Sequence, residues 1–310
     1  MFGRILAIAL NTYRESLRAR ILIGLAGVAF AVAFYSIIVG AYTLRSGARV
    51  VSDLGAASLS VFSIAVAIII GATSLHRELE QKTIFPILAR PIRRSEYLIG
   101  KYLGTLLTLA VFILADAGLV LLISAVLAGR SFWLVAGAGV ATLATLGGAA
   151  FRSVAARTYG FIPWSLAFLL LGAALSGGAA EERRVVLGGA ALAFLEVGVI
   201  AAFATLFSSF STPFLSSLLT LGTLVIGRNA DSLARMPVKF FGPEISAAAR
   251  ALSKVVPNLQ IYVPPRPLLT GEVVDAYLPA YLGMAALTTV GWGVALLAVA
   301  SFVFKRRDFL

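Results

Sequence analysis

The sequence predicts an all-α protein, a polytopic transmembrane helix bundle, and three observations support this prediction. Of the 310 residues, 60% are hydrophobic and only 13% are charged, and the mean hydropathy is +0.96. A soluble domain cannot bury that much apolar surface, because many of its residues must face water. Several apolar runs of about 20 residues match the hydrocarbon thickness of a bilayer, whereas the alternating strands of about ten residues that build a membrane barrel do not occur.

The chain begins with an amphipathic segment, residues 1–20. Within it Leu6, Leu10, Tyr13 and Leu17 recur at helical spacing, and the charged residues fall on the other side. This pattern predicts a helix that lies in the membrane interface with its basic residues toward anionic headgroups. An ordinary cytoplasmic helix is the alternative. Because no convincing small-residue cleavage site follows the first apolar run, we expect that run to be a retained span and not a signal peptide.

Eight apolar runs then predict eight spans. They cover residues 21–42, 54–75, 102–128, 132–151, 160–176, 187–207, 214–226 and 277–304. The run 214–226 is short enough to be a half-span. The two runs within 132–176 are rich in Gly and Ala, which favours close helix packing in lipid. They also suit a re-entrant hairpin, so a count of six spans is the alternative.

The segment 228–276 is the longest interval without a span. Ile245, Leu252 and Val255 recur there at helical spacing, which predicts a second amphipathic helix. Several prolines follow and favour extended backbone.

The distribution of basic residues predicts the orientation. Both span counts are even, so both termini lie on the same side of the membrane. Four Lys and Arg residues before the first span, six in 76–101, two in 151–158 and three at the end make 15 of the 26, which leaves 11 for the other side. The positive-inside rule therefore favours a multi-pass protein of the cell inner (plasma) membrane, with both termini and the loop 76–101 in the cytoplasm and 228–276 outside.

Composition and motifs argue against several classes of function. The net charge of +12 reflects basic cytoplasmic loops, and no basic patch is interleaved with aromatics, so no nucleic-acid partner is predicted. The chain has no cysteine and one histidine, His76, which argues against a zinc site. Gly100–Lys101 is followed by Tyr102, so no phosphate-binding loop forms there, and no HExxH or GxSxG motif occurs. We predict no catalytic residue, no metal ligand and no cofactor bound by this chain, which is therefore not expected to be an enzyme.

The loop 76–101 is the predicted contact with a soluble partner. Pro86 and Pro91 interrupt it, and the apolar run Ile84–Leu88 lies between charged flanks. A short turn that exposes this run would dock into a groove on another protein. A merely solvated loop is the alternative, although such a loop has no need of the apolar run. Further on, Ser95 is placed to cap the helix that enters the third span.

Three features together resemble a known family. The loop carries, in order, Arg77, Glu78, Glu80, Thr83, Leu88, Pro91, Arg94, Glu96, Gly100 and Lys101. The turn LFSSFSTP at 206–213 and the segment PNL at 257–259 follow later in the chain. In order and spacing these features resemble ABC-2-type transporter permeases, specifically their NosY-like branch. That family usually has six spans, so the pair within 132–176 departs from its pattern.

The resemblance implies a function and its partners. Such permeases are half-transporters that dimerise, and a homodimer is expected here. Each subunit binds a separately encoded ATPase, which holds ATP and Mg, through the loop after the second span, and the pair is expected to work as an exporter. The implied ATPase-docking residues are Arg77, Glu78, Glu80, Thr83, Phe85, Leu88, Arg90, Pro91, Arg94 and Glu96.

Two carboxylates interrupt the predicted spans. Asp116 lies about 21 Å beyond Tyr102 and Glu196 about 16 Å before Phe207, at 1.5 Å per helical residue, so the two lie at comparable depth. Buried carboxylates are costly in a bilayer unless they are paired, protonated or facing water. One interpretation is a polar site that faces a substrate or a proton. The other is that hydrogen bonds to neighbouring helices hold both groups neutral.

Two other functions stay open. A gradient-driven secondary transporter would use Asp116 and Glu196, and it would favour inverted repeats, which the sequence does not show. A non-transporting membrane scaffold for an ATPase is the third function. The spans are aliphatic with few polar groups, so they suit a lipid, a hydrophobic drug or a polymer and do not choose among these substrates.

Overall fold

The computed structural model describes residues 2–43, 46–80, 93–272 and 277–306, and it confirms the all-α fold. Its helices are α1 (Phe2–Arg18), α2 (Arg20–Ala41), α3 (Gly47–Glu80), α4 (Arg94–Leu127), α5 (Phe132–Arg152), α6 (Val154–Tyr159), α7 (Phe161–Leu175), α8 (Ala180–Ser208), α9 (Pro213–Arg228), α10 (Ala230–Ala234), α11 (Val238–Val255), α12 (Arg266–Thr270) and α13 (Leu278–Arg306). Two short 3-10 helices cover Ser176–Gly178 and Leu259–Tyr262.

Seven of the described helices are long and apolar enough to cross a membrane. The disputed pair is among them, since the apolar stretches at 132–149 and 161–178 each have 18 residues. Helix α9 has 16 residues, about 24 Å at 1.5 Å per residue, which is shorter than a bilayer core of about 30 Å. The structure thus gives every predicted span a helix and makes α9 the short one.

Helices α3, α4 and α8 form the centre of the bundle. In the most apolar stretch of α4 and of α8, 72% of residues are buried, against 6% for α5. Small residues bring the central helices together: a Cβ at Gly55 would lie 2.5 Å from Val120 Cγ1, and one at Gly71 would lie 2.5 Å from Ala204 Cβ. Lipid tails are as apolar as the helix surfaces, so the hydrophobic effect does little to hold helices together in a bilayer. Close packing through small residues stabilises their contact instead.

The Gly and Ala content of 132–176 has different consequences in its two helices. In α7, a Cβ at Gly172 would lie 2.8 Å from the carbonyl oxygen of Gly118, so this glycine does permit close packing. In α5, Gly137, Gly147 and Gly148 have nothing within 4 Å of a Cβ position among the described residues. The predicted close packing is therefore found for α7 but not for these positions of α5, because α5 lies at the periphery.

Helix α1 confirms the predicted N-terminal helix but buries a different face. Its fully buried residues are small or polar apart from one tyrosine: Ala9, Thr12, Tyr13 and Ser16. Of the predicted apolar face only Tyr13 is buried, and Leu6 is 49% exposed. The reason is the partner surface, because Gly104 of α4 lets the backbone of Ala9 approach closely. Helix α1 thus packs against α4 mainly through small residues, and Leu6 of the predicted apolar face stays exposed.

Helix α11 confirms the second amphipathic helix. It contains a kink at Gly242, whose φ is 81°, followed by Pro243. The predicted apolar face is exposed, with Ile245 at 60% and Val255 at 70%. An apolar face that no part of the described chain covers suits a helix that lies on a membrane interface.

Candidate functional site

At one end of the bundle, Arg94 joins the first turn of α4 to the end of α13. Its Nη1 donates hydrogen bonds to the carbonyl oxygens of Phe304, at 3.0 Å, and Lys305, at 2.9 Å. These carbonyls lie near the carboxyl end of α13 as described, where the helix dipole favours a cation. Tyr97, one turn further along α4, stacks on the ring of Phe304 with centroids 6.3 Å apart. The start of α4 is thereby fastened to the last helix.

Lys101 fastens α4 to two more helices at the same end. Its Nζ donates to Ser74 Oγ of α3 at 2.9 Å and to the Ser74 carbonyl oxygen at 3.3 Å. It also lies 3.5 Å from the Glu15 carboxylate of α1. Because the Lys101 side chain is 5% exposed, these contacts compensate a charge that would otherwise be buried at high cost. Lys101 therefore holds together α1, α3 and α4 where the loop begins and ends.

Glu96 gives α4 its beginning. Its carboxylate accepts a hydrogen bond from the backbone N–H of Arg93 at 3.4 Å and lies 4.0 Å from Arg4 of α1. Ser95 was predicted to cap this helix, and that prediction is wrong, since α4 starts at Arg94 with Arg93 as the capping residue. A Glu three residues after the cap reaches back to the cap's free N–H, as in a capping box.

The structure describes some of the predicted docking residues and not others. Arg77, Glu78 and Glu80 belong to the last turns of α3. The central members, Thr83, Phe85, Leu88, Arg90 and Pro91, lie outside the described residues. Arg94 and Glu96 make the internal contacts given above. These two residues position the helices that flank the loop.

The second candidate region is a polar cluster inside the bundle, centred on Glu196 of α8. Arg228, the last residue of α9, donates from Nε to Glu196 Oε1 and from Nη2 to Glu196 Oε2, both at 2.8 Å. Nη2 also lies 2.8 Å from Ser60 Oγ of α3. Two parallel N–H···O bonds make this a bidentate pair, the strongest geometry for such a contact. The Glu196 side chain is 1% exposed and Arg228 is 30% exposed.

Sequence reasoning missed Arg228 because it stood at the edge of the predicted loop. The depth argument used for Glu196 would have found it. Arg228 lies 15 residues after Pro213 and Glu196 lies 12 residues before Ser208, so they are about 22 and 18 Å along adjacent antiparallel helices. Opposite charges at matching depth on neighbouring helices predict a pair.

A cavity of about 290 Å³ leads to this cluster. Its lining includes Ser60 and Arg228, and also Asp53 and Arg266, which form an ion pair with each other. Tyr262 lines it as well and shares a hydrogen bond of 2.8 Å with Thr289 of α13. Asp53 lies two turns before Ser60 on α3, so polar groups follow one another along the cavity. This cavity explains how Arg228 keeps part of its surface accessible.

Asp116 of α4 has quite different surroundings. It is fully buried, and neither carboxylate oxygen has a hydrogen-bond partner among the described residues. The structure therefore does not join Asp116 to Glu196 in one polar site. The interpretation that hydrogen bonds to neighbouring helices hold the carboxylate in place finds no such bond at Asp116 among the described residues. Glu196 instead has a cationic partner, Arg228, which the sequence analysis did not predict.

The PNL segment at 257–259 also has structural partners. Asn258 Nδ2 donates to Asp231 at 2.8 Å, and Asn258 Oδ1 accepts from the backbone N–H of Gln260 at 2.9 Å. Leu259 packs on the glycine that precedes Arg228, where a Cβ would lie 2.7 Å from Leu259 Cγ. The PNL segment thus holds the end of α9 and with it the Arg228 side chain.

Comparison with known proteins agrees with this architecture. No individual curated protein matches the chain. A family model described as ABC-2 family transporter protein matches residues 6–309, from the first turns of α1 to beyond the end of α13. The match spans both the helix junction and the polar cluster. The chain is therefore a multi-pass membrane protein that belongs to the ABC-2 family of transporter proteins, as a permease subunit.

Proposed function

We propose that this permease subunit is part of an ATP-driven exporter, energised by a separately encoded ATPase that docks on the loop 76–101. ATP and Mg are held by that partner. Two copies of the chain form a homodimer in the plasma membrane, with both termini in the cytoplasm. The family assignment supports an ABC ATPase as partner, and the resemblance and charge distribution described above support the direction, the dimer and the orientation.

The observation that carries the proposal is the anchoring of the helices on both sides of the loop. Helix α3 precedes the central part of the loop and α4 follows it. At this end of the bundle, Lys101 and Arg94 fasten these helices to α1 and α13. A force applied to the loop therefore acts on four helices together. Because the helices that flank the loop are fastened to their neighbours, movement of a docked partner is transmitted to these helices.

Helix α3 also connects the loop to the polar cluster. It is continuous from Gly47 to Glu80, so Ser60 lies about 30 Å from Glu80 along one helix. Ser60 accepts from Arg228, which binds Glu196. We propose that this contact senses movement of α3 and couples the ATPase to the intramembrane polar groups.

Substitutions in the apolar run of the loop test the docking. Phe85→Asp or Leu88→Asp is expected to abolish co-purification with the neighbouring-gene ATPase, because a carboxylate would have to be desolvated in the partner's groove. Membrane insertion should not change. Tyr277→Asp is the matched control, since Tyr277 is 80% exposed at the other end of α13. Retained co-purification of both loop variants would refute the docking.

Conservative changes of the two carboxylates test their part in coupling. If they contribute, Asp116→Asn with Glu196→Gln should lower ATP hydrolysis by the reconstituted complex and lower transport, per folded protein. Unchanged transport together with unchanged stimulation of the ATPase would refute this contribution. The single variants assign any loss to one of the two groups.

The gradient-driven transporter makes a different prediction. It requires activity without ATP that stops when the proton gradient is collapsed. The non-transporting scaffold would stimulate the ATPase and move no substrate, so transport by reconstituted vesicles separates it from the exporter.

A further inference from the structure

A large apolar cleft lies on the side of the bundle, between α2, α4, α5 and α7. Its volume is about 810 Å³, within the range of ordinary ligand sites. Apolar side chains from four helices form its walls: Leu22, Phe30, Phe112, Leu146, Phe161 and Trp164. The α2 wall from Leu22 to Phe30 is about 12 Å long.

Three arginines stand at one end of this cleft. Arg14 and Arg18 come from α1, and Arg157 comes from α6. The two helices are fixed to each other beside them, because Tyr13 donates to the carbonyl oxygen of Thr158 at 3.1 Å and stacks on Tyr159. The arginines are therefore placed by the fold, and no acidic residue is among the described residues that line the cleft.

We propose that this cleft binds an anionic phospholipid, with the phosphate headgroup between Arg14, Arg18 and Arg157 and an acyl chain along α2 and α4. Three positive charges at the mouth favour a net negative headgroup over a zwitterionic one. Guanidinium groups match phosphate oxygens in geometry and charge. The apolar walls match an acyl chain and leave a polar ligand without partners. Lipid binding at this cleft requires neither the ATPase nor the transported substrate.

The test uses the purified full chain incubated with equal amounts of phosphatidylglycerol and phosphatidylcholine, with bound lipid measured by native mass spectrometry. The wild-type chain is expected to retain phosphatidylglycerol preferentially. The triple variant Arg14→Gln, Arg18→Gln, Arg157→Gln should lose about 100-fold of that preference, from the usual contribution of each basic residue near a membrane surface. The matched triple variant Arg130→Gln, Arg235→Gln, Arg250→Gln removes the same charge from exposed positions that do not line the cleft and should keep it.

A second pair of variants tests the acyl-chain site without changing charge. Gly27 lines the cleft, and a Cβ there meets nothing within 4 Å, so the side chain of Gly27→Trp has room to enter the cleft. Gly24 has equally open surroundings and does not line the cleft, so Gly24→Trp is the control. Gly27→Trp should reduce bound lipid and Gly24→Trp should not. This pair carries the test if the triple arginine variant fails to fold.

Three results would overturn the proposal. Equal retention of the two lipids by the wild-type chain would show that the cleft does not prefer an anionic headgroup. An unchanged preference in the folded arginine variant would remove the headgroup site. Separation of a dimer by Gly27→Trp with bound lipid unchanged would assign the cleft to a second copy of this chain.

Discussion

Glu196 and Asp116 are both buried carboxylates on long central helices, yet their surroundings differ in kind. Glu196 pairs with an arginine in bidentate geometry, and that arginine lies next to a serine and a cavity. Asp116 has no hydrogen-bond partner for either oxygen in the described part of the chain. The contacts of Glu196 offset the free-energy cost of burying its carboxylate, whereas no contact in the described part of the chain offsets that cost for Asp116. Equal depth along the chain therefore does not mean an equal environment.

The largest effect is expected from removing the cation beside Glu196. Arg228→Ala leaves a buried carboxylate without its partner and should cost about 3 kcal/mol or more of stability. The thermal midpoint of the purified chain in detergent measures this loss. Arg235→Ala, an exposed residue of the following turn, is the control and should change the midpoint little.

A double variant sharpens the result. Glu196→Gln in the Arg228→Ala background removes the uncompensated charge and should restore much of the lost stability. An Arg228→Ala chain as stable as the wild type would show that the pair contributes nothing and would remove the contrast with Asp116.

The next largest effect is a gain of stability, and it is expected from replacing Asp116. Asp116→Val replaces two unpartnered oxygens by methyl groups of similar size and should raise stability by about 1–2 kcal/mol. The same change at the compensated site, Glu196→Val, should lower stability, because it leaves Arg228 without its partner. A clear loss of stability in Asp116→Val would mean that Asp116 has a partner in the folded protein.

The smallest effect is expected at Ser60. Ser60→Ala removes the hydroxyl oxygen that lies 2.8 Å from Arg228 Nη2 and should cost about 1 kcal/mol. Ser58→Ala is the control, since the Ser58 hydroxyl donates only to the Gly55 carbonyl oxygen of its own helix in the described contacts. If the two variants are equally stable, Ser60 is not part of the polar cluster.

Much of the fold was predicted because hydropathy acts locally along the chain. Each predicted span has a helix in the structure, and the short run before Arg228 is a short helix. The N-terminal helix was also predicted, but the face it buries was not, because Gly104 on another helix selects Ala9 and Thr12 as the contact. The predicted close glycine packing was found at Gly172 but not at Gly137, Gly147 or Gly148 of α5, because the position of each helix in the bundle decides which glycines meet a neighbour.

The candidate site was predicted in part. The resemblance singled out Arg94, Glu96 and Lys101, and the structure shows these residues fastening helices at one end of the bundle. Docking of a partner on the loop stays a prediction, because its central residues lie outside the described chain.

The sequence by itself determined the membrane class, the positions of the long apolar helices and the depth of the two carboxylates along them. These properties depend on the length and polarity of continuous segments. Only the tertiary structure decided that Glu196 meets Arg228, that Asp116 meets no partner, and that three arginines from α1 and α6 stand at one apolar cleft. Such pairings depend on how each helix is rotated against its neighbours, and that rotation is set by packing between residues far apart in the chain.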